Sequence, residues 1–144
     1  MKELFGTDGI RGRADEFPLD GKTVEVIGRS LARQFGQGLL RPAKFVIGRD
    51  TRESGEGIER AFCAGAASGG AECVSPGVIT TPGVAFLTRV EGFDAGIVIS
   101  ASHNPFHDNG IKVFLPSGKK IEEAIERETE RDIYSSNDED PSPA

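Results

Sequence analysis

The sequence predicts an α/β domain of three layers, with helices on both faces of a mixed, mostly parallel sheet. Three observations point there. Short apolar runs alternate with longer stretches of helical periodicity. The run Ala95-Gly96-Ile97-Val98-Ile99 is apolar on both faces, as a central strand covered by helices must be. The last two apolar runs, 95–99 and 111–115, have only a loop between them, which leaves room for an antiparallel pair. A chain of 144 residues suits one domain with one core.

The elements follow in order. Leu4-Phe5 reads as the opening of a first strand, interrupted by the glycines of Gly6-Thr7-Asp8-Gly9-Ile10-Arg11-Gly12. Residues 23–37 predict a helix, because Val24, Ile27, Leu31 and Phe35 recur at helical spacing and make one buried stripe. Thr23 suits its N-cap and Gly38 its stop. Residues 44–47 form a short strand running into Gly48-Arg49-Asp50-Thr51-Arg52. Ser54 can cap a second helix with Ile58, Ala61, Phe62, Gly65 and Ala66 inside, and its small residues predict close packing against a sheet. Residues 72–74 are a brief strand, turned by Ser75-Pro76-Gly77.

Thr81-Pro82 opens a third helix, Thr81 as N-cap and Pro82 at the first helical position, running to about Arg89. After the strand at 111–115, Pro116-Ser117-Gly118 makes a turn. Residues 121–133 predict a charged surface helix, with Glu123 four residues before Arg127. Beyond Tyr134 come serines, prolines and an acidic run with no helical stripe. The domain is therefore 1–134, and 135–144 is a linker or disordered tail. There is no internal repeat and no low-complexity tract.

Composition excludes some classes. A net charge of -6 makes the chain a poor candidate for binding nucleic acid through its phosphates. Cys63 and Cys73 make no C-x-x-C, and no second pair completes a zinc site. They read as two reduced thiols, one on a helix and one on a strand. Met1-Lys2-Glu3-Leu4-Phe5-Gly6 has no apolar core of a secretory signal, and no apolar run is long enough for a bilayer. The expectation is a soluble, cytoplasmic chain.

Chemistry concentrates in Ser100-Ala101-Ser102-His103-Asn104-Pro105, directly after the buried strand. In open α/β sheets, ligands gather at the carboxyl ends of strands. Two hydroxyls, an imidazole and an amide there suit polar chemistry, although Ser, Asn and Pro also make an ordinary capped turn. There is no G-x-S-x-G elbow at Ser102 and no G-x-x-x-x-G-K-[ST] loop, so neither an α/β-hydrolase nor a P-loop NTPase is indicated. The spacing of Gly6, Gly9 and Gly12 is not the dinucleotide fingerprint. His103 and His107 stand four apart, but Pro105 between them argues against a helical metal pair.

Lys112 lies ten residues after Ser102, where strand pairing can bring its amine near the serine. A deprotonated lysine can serve as general base toward a sugar hydroxyl. Arg11 and Arg49 follow glycine turns or strands, where a guanidinium fork suits phosphate. The plain alternatives are a solvated lysine and surface ion pairs with nearby aspartates.

Three segments together resemble the α-D-phosphohexomutase superfamily. They are Phe5-Gly6-Thr7-Asp8-Gly9-Ile10-Arg11-Gly12, Ile47-Gly48-Arg49-Asp50-Thr51-Arg52, and Ser100-Ala101-Ser102-His103-Asn104-Pro105 with Asp108-Asn109-Gly110-Ile111-Lys112. The wording is most like the phosphoglucosamine mutase branch, with phosphomannomutase/phosphoglucomutase enzymes as close competitors. The resemblance implies that Ser102 is stored as a phosphoserine and passes its phosphoryl to a sugar monophosphate, making a bisphosphate. It implies Lys112 as general base, Arg11 beside it, and His103 in contact with the reacting groups. Arg49 and Asn104 are the substrate- or phosphate-binding candidates. A Ser102 phosphate oxygen would be one ligand of Mg²⁺.

The resemblance also implies a phosphosugar substrate and a polypeptide of four domains, of which this sequence matches the first. The D-G-D-x-D-R metal loop of the second is absent from it. The chain alone is therefore expected not to complete a mutase cycle, and an excised domain or a fragment is the expectation. Bacterial members of the resemblance dimerise through this domain. The competing readings are a non-catalytic phosphosugar-binding or assembly module on the same fold, and a serine hydrolase. Ser102, Lys112 and Arg11 together favour the mutase, since mere binding needs no nucleophile with a base.

Overall fold

The computed structural model describes residues 2–139. The elements are β1 Ile10–Arg13, α1 Gly21–Gly36, β2 Lys44–Arg49, α2 Gly55–Ser68, β3 Glu72–Val78, α3 Thr81–Val90, β4 Ala95–Ile99, β5 Asp108–Phe114 and α4 Glu123–Glu139. They build a five-stranded sheet in the order β1-β5-β4-β2-β3. β2 pairs in parallel with β3 and with β4, while β5 runs antiparallel to both β4 and β1. Every strand but β5 therefore points one way, and the sheet is mixed as predicted.

Alternation along the strands sorts the core into two layers. Phe45, Ile47, Ile97, Ile99, Ile111 and Val113 face one side and pack with Ile27 and Leu31 of α1, Phe62 of α2 and Ile133 of α4. Val46, Val98 and Phe114 face the other, against Val84 and Leu87 of α3. Lys112 stands two residues before Phe114, and so on the α3 side.

The small residues of α2 serve a contact the sequence did not predict. A Cβ at Gly65 would lie 1.9 Å from the Glu25 carbonyl oxygen, and one at Gly28 would lie 2.3 Å from that of Phe62. The glycines let α1 and α2 cross backbone to backbone, rather than only packing α2 on the sheet.

Several element ends differ from the expectation. Leu4-Phe5 is not a strand, because both N–H groups donate instead to the Glu130 carboxylate, at 2.6 and 2.9 Å. The first strand begins at Ile10. Asp20, not Thr23, caps α1 and accepts from the Thr23 N–H. Gly38 does follow the helix end in left-handed backbone, at φ 79°. Ser75-Pro76-Gly77 stays in the ladder, where pairing steps from Val46↔Val74 to Gly48↔Gly77. That bulge and the missing N–H of Pro76 are tolerated because β3 is an edge strand. Thr80 caps α3, one residue earlier than expected.

α4 is less a surface helix than its charge suggests. Glu126, Thr129 and Glu130 are buried. Arg127 pairs with Glu3, Glu126 and Glu130 rather than with Glu123. The Tyr134 hydroxyl donates to the Lys2 carbonyl at 2.8 Å, so the last helix holds the first residues. Burial pushes the Glu126 carboxyl above its ordinary range, against Lys120 and Arg127, which pull it down. The expected tail at 135–144 is helical through Glu139, and 140–144 lie outside the described residues.

Cys63 on α2 and Cys73 on β3 are free thiols. The hydrogen bond between them pushes Cys63 down and Cys73 up. Among the described residues, no helix is long and apolar enough to cross a membrane.

Candidate active site

β4 ends at Ile99 and β2 at Arg49, side by side. The Asp50 N–H donates to the Ile99 carbonyl at 3.1 Å, and the Ser100 N–H to the Gly110 carbonyl at 3.0 Å. A Cβ on Gly110 would lie 2.7 Å from the Ser100 carbonyl oxygen and 2.9 Å from Arg11 Cγ. Only glycine lets β1, β5 and the end of β4 converge there. The convergence brings Arg11 and Lys112, far apart in sequence from one another, to the serine loop.

The loop from Ser100 to Asp108 is built by polar contacts. Ser100 Oγ donates to Asp50 Oδ2 at 2.8 Å and accepts from the Ser102 N–H at 3.1 Å. Backbone bonds from Asn104 N–H to the Ala101 carbonyl and from Asp108 N–H to the Pro105 carbonyl fold it into turns. Ser102 sits in left-handed backbone at φ 50°. That conformation costs a non-glycine residue about 1–2 kcal/mol. Arg52, with a side chain 11% exposed, reaches over the loop and donates to several of its carbonyls. Ser54 precedes α2 but makes no cap bond. Its hydroxyl instead accepts from Nδ2 of the buried Asn109 at 2.8 Å.

The loop forms one wall of a cleft of about 630 Å³, lined by Asp8, Arg11, Thr81, Pro82, Val98, Ser100, Ser102, His103, Asn104 and Lys112. Arg11 Nη2 donates to Ser102 Oγ at 3.3 Å. Lys112 stands opposite Val98 in the ladder, with Nζ 3.9 Å from Asp8 Oδ1. The cleft also meets the N-terminus of α3, whose partial positive charge suits an anion. Two cations, a hydroxyl, an imidazole and a helix N-terminus around one opening are donors for a phosphate.

Ser102, Arg11, Lys112, His103 and Asn104 thus come together. Asn104 Nδ2 is turned onto Asp108 Oδ2 at 3.3 Å. Arg49 does not join them. It shares the parity of Phe45 and Ile47, so it points to the α2 side of the sheet, where Nη1 lies 3.1 Å from both carboxylate oxygens of Glu59. That carboxylate also accepts from Ser75 Oγ. His107 departs as well, lining a separate cleft with Arg13 and Phe106, its Nε2 3.4 Å from Asp108 Oδ1.

Asp8, Asp50, Arg52 and Thr81 belong to the site and were not singled out from the sequence. The first three lie inside the motif segments quoted above, which was the available signal. Among the described residues, no three His, Cys, Asp or Glu gather as a metal-binding group. The Asp50 carboxylate is committed to Ser100 and Arg52. Ser102 offers one hard oxygen, which fits Mg²⁺ as a single ligand. The residues present do not make a complete Mg²⁺ site.

The family profile described as phosphoglucomutase/phosphomannomutase, alpha/beta/alpha domain I, matches residues 2–140. The chain belongs to this family. The phosphoglucosamine mutase of Koribacter versatilis is 54% identical over 134 residues, covering 93% of this chain and 29% of that protein. That of Solibacter usitatus is 50% identical over 133 residues, covering 92% and 30%. A solved phosphoglucomutase/phosphomannomutase family protein from Burkholderia thailandensis superposes with a TM-score of 0.76 at 27% identity, covering 94% of this chain and 30% of its own. The chain therefore spans about 30% of the length of the curated relatives it matches.

Proposed function

We propose that this chain is the phosphoserine-bearing domain of a mutase that interconverts the 6- and 1-phosphates of a hexosamine, glucosamine first, through a bisphosphate. The observation that carries the reading is Ser102, held at the cleft in left-handed backbone with Arg11 on its hydroxyl. The names of the relatives supply the sugar.

The step balances simply. The Oγ–P bond of phosphorylated Ser102 breaks as a bond forms from a sugar hydroxyl oxygen to phosphorus. The hydroxyl loses its proton to a base, and Ser102 Oγ regains one when it leaves. Lys112, on the cleft wall, is the base in this reading. Arg11 and His103 face the transferred group, where positive charge stabilises its equatorial oxygens. Asn104 is a second candidate contact to the sugar phosphate. Arg49, paired with Glu59 on the α2 side, does not line this cleft and makes a phosphate contact only outside it. A phosphoserine carries about -1.5 to -2 charge at neutral pH, so cationic neighbours are required. Mg²⁺ would neutralise part of that charge with Ser102 phosphate as one ligand, its others coming from outside this chain. The same reading requires the remaining domains of a mutase, so the chain alone does not turn over substrate.

The test replaces the matching segment of the Koribacter versatilis enzyme with this chain. The chimera should convert glucosamine 6-phosphate to the 1-phosphate, and Ser102→Ala or Lys112→Ala in the grafted segment should abolish it. A folded chimera whose turnover survives Ser102→Ala sinks the proposal.

A further inference from the structure

We infer that Arg52 is a positioning residue for Ser102, setting the backbone of the serine loop without touching substrate. The inference rests on the reading of Ser102 as the phosphoryl carrier. Arg52 does not line the cleft. A guanidinium has five N–H donors in a rigid fork, and here each has an acceptor. Nη2 donates to the carbonyls of Ser102 at 2.8 Å and Asn104 at 3.1 Å. Nη1 donates to those of Pro105 at 2.7 Å and Asp108 at 3.2 Å. Nε donates to Asp50 Oδ2 at 3.1 Å.

The two sides of Ser102 are thereby gripped by one network. Its carbonyl is held by Arg52 directly. Its N–H is held by Ser100 Oγ, which is anchored on the same Asp50 oxygen that accepts from Arg52 Nε. The Arg52 N–H closes the ring by donating to Asp50 Oδ1 at 3.0 Å. The residue so held is the one at φ 50°. Such a serine persists only where its surroundings over-determine it. A lysine, with three donors on one point charge, cannot span four carbonyls.

The test compares wild type, Arg52→Lys and Arg52→Ala by amide hydrogen exchange on this chain. In Arg52→Ala, the amides of Ser102, Asn104 and Asp108 should exchange at least tenfold faster, while Ile97 and Val98 in β4 stay unchanged. Millimolar guanidinium should restore the slow rates, and Arg52→Lys should lie between. If Arg52→Ala does not fold, the lysine variant alone decides, by faster loop exchange over an unchanged β4. In the Koribacter chimera, Arg52→Lys should lower kcat at least tenfold and leave KM alone. Loop exchange that is unchanged, or that rises equally in β4, overturns the inference. If Ser102 never carries phosphate while loop exchange responds as stated, the functional reading falls and the positioning role stands.

Discussion

Replacing Ser102 by alanine and by glycine separates the hydroxyl from the backbone that presents it. Both variants lose Oγ, and with it the 3.3 Å contact from Arg11. Ser102 is exposed, so neither leaves a cavity. What differs is the φ of 50°, which glycine adopts freely and alanine does not. Left-handed backbone costs a non-glycine residue about 1–2 kcal/mol, and glycine's greater freedom in the unfolded chain returns part of that. Ser102→Gly should therefore be more stable than Ser102→Ala by about 1 kcal/mol. That is roughly 4 °C in Tm for a domain of this size. Thermal unfolding of the two variants side by side reads it, and the Koribacter chimera should be inactive with either. Equal Tm values, or a more stable alanine variant, would refute the claim that this backbone is held against its preference.

The helix crossing gives a prediction of opposite signs. Gly57→Ala has nothing within 4 Å of its new Cβ and should stabilise by about 0.5–1 kcal/mol, whereas Gly65→Ala meets the Glu25 carbonyl at 1.9 Å and should destabilise by about 2 kcal/mol or more. Denaturant midpoints that shift the same way for both would remove the crossing as an explanation. For Glu126, burial raises the carboxyl, so the fold disfavours its charged form. The penalty is absent below the ordinary value of 4.5, grows as pH rises from there to the raised folded value, and is complete above it. Glu126→Gln should therefore be more stable than wild type at pH 7 and equal to it below about pH 4. A glutamine variant less stable at pH 7 would show that the ion pairs with Lys120 and Arg127 outweigh burial.

The fold was legible where the periodicity was strong. Val24, Ile27 and Leu31 marked α1, and the unbroken apolar run of β4 marked the centre of the sheet. What stayed hidden depended on partners far away in sequence. Nothing near Leu4 shows that the Glu130 carboxylate will take its N–H. Likewise the Ser75-Pro76-Gly77 segment reads as a turn until its place at the sheet edge is known. In the site, Ser102 and Lys112 were readable because their motif is local and the antiparallel pair joins them. Arg49, a phosphate-binding candidate in the sequence, lies on the α2 side with Glu59, because parity on β2, not proximity in sequence, decides which face it takes. Arg52 stays hidden in the sequence because the carbonyls it holds lie fifty or more residues ahead.

The most direct measurement is the position of covalent phosphate. The Koribacter chimera is incubated with glucosamine 1,6-bisphosphate and digested, and the peptide spanning Ser100 and Ser102 is mapped by mass spectrometry. Phosphate should sit on Ser102, be absent from Ser100, and disappear in Ser102→Ala. Phosphate on Ser100 alone, or undiminished labelling of Ser102→Ala, would contradict the assignment of Ser102 as the phosphoryl carrier.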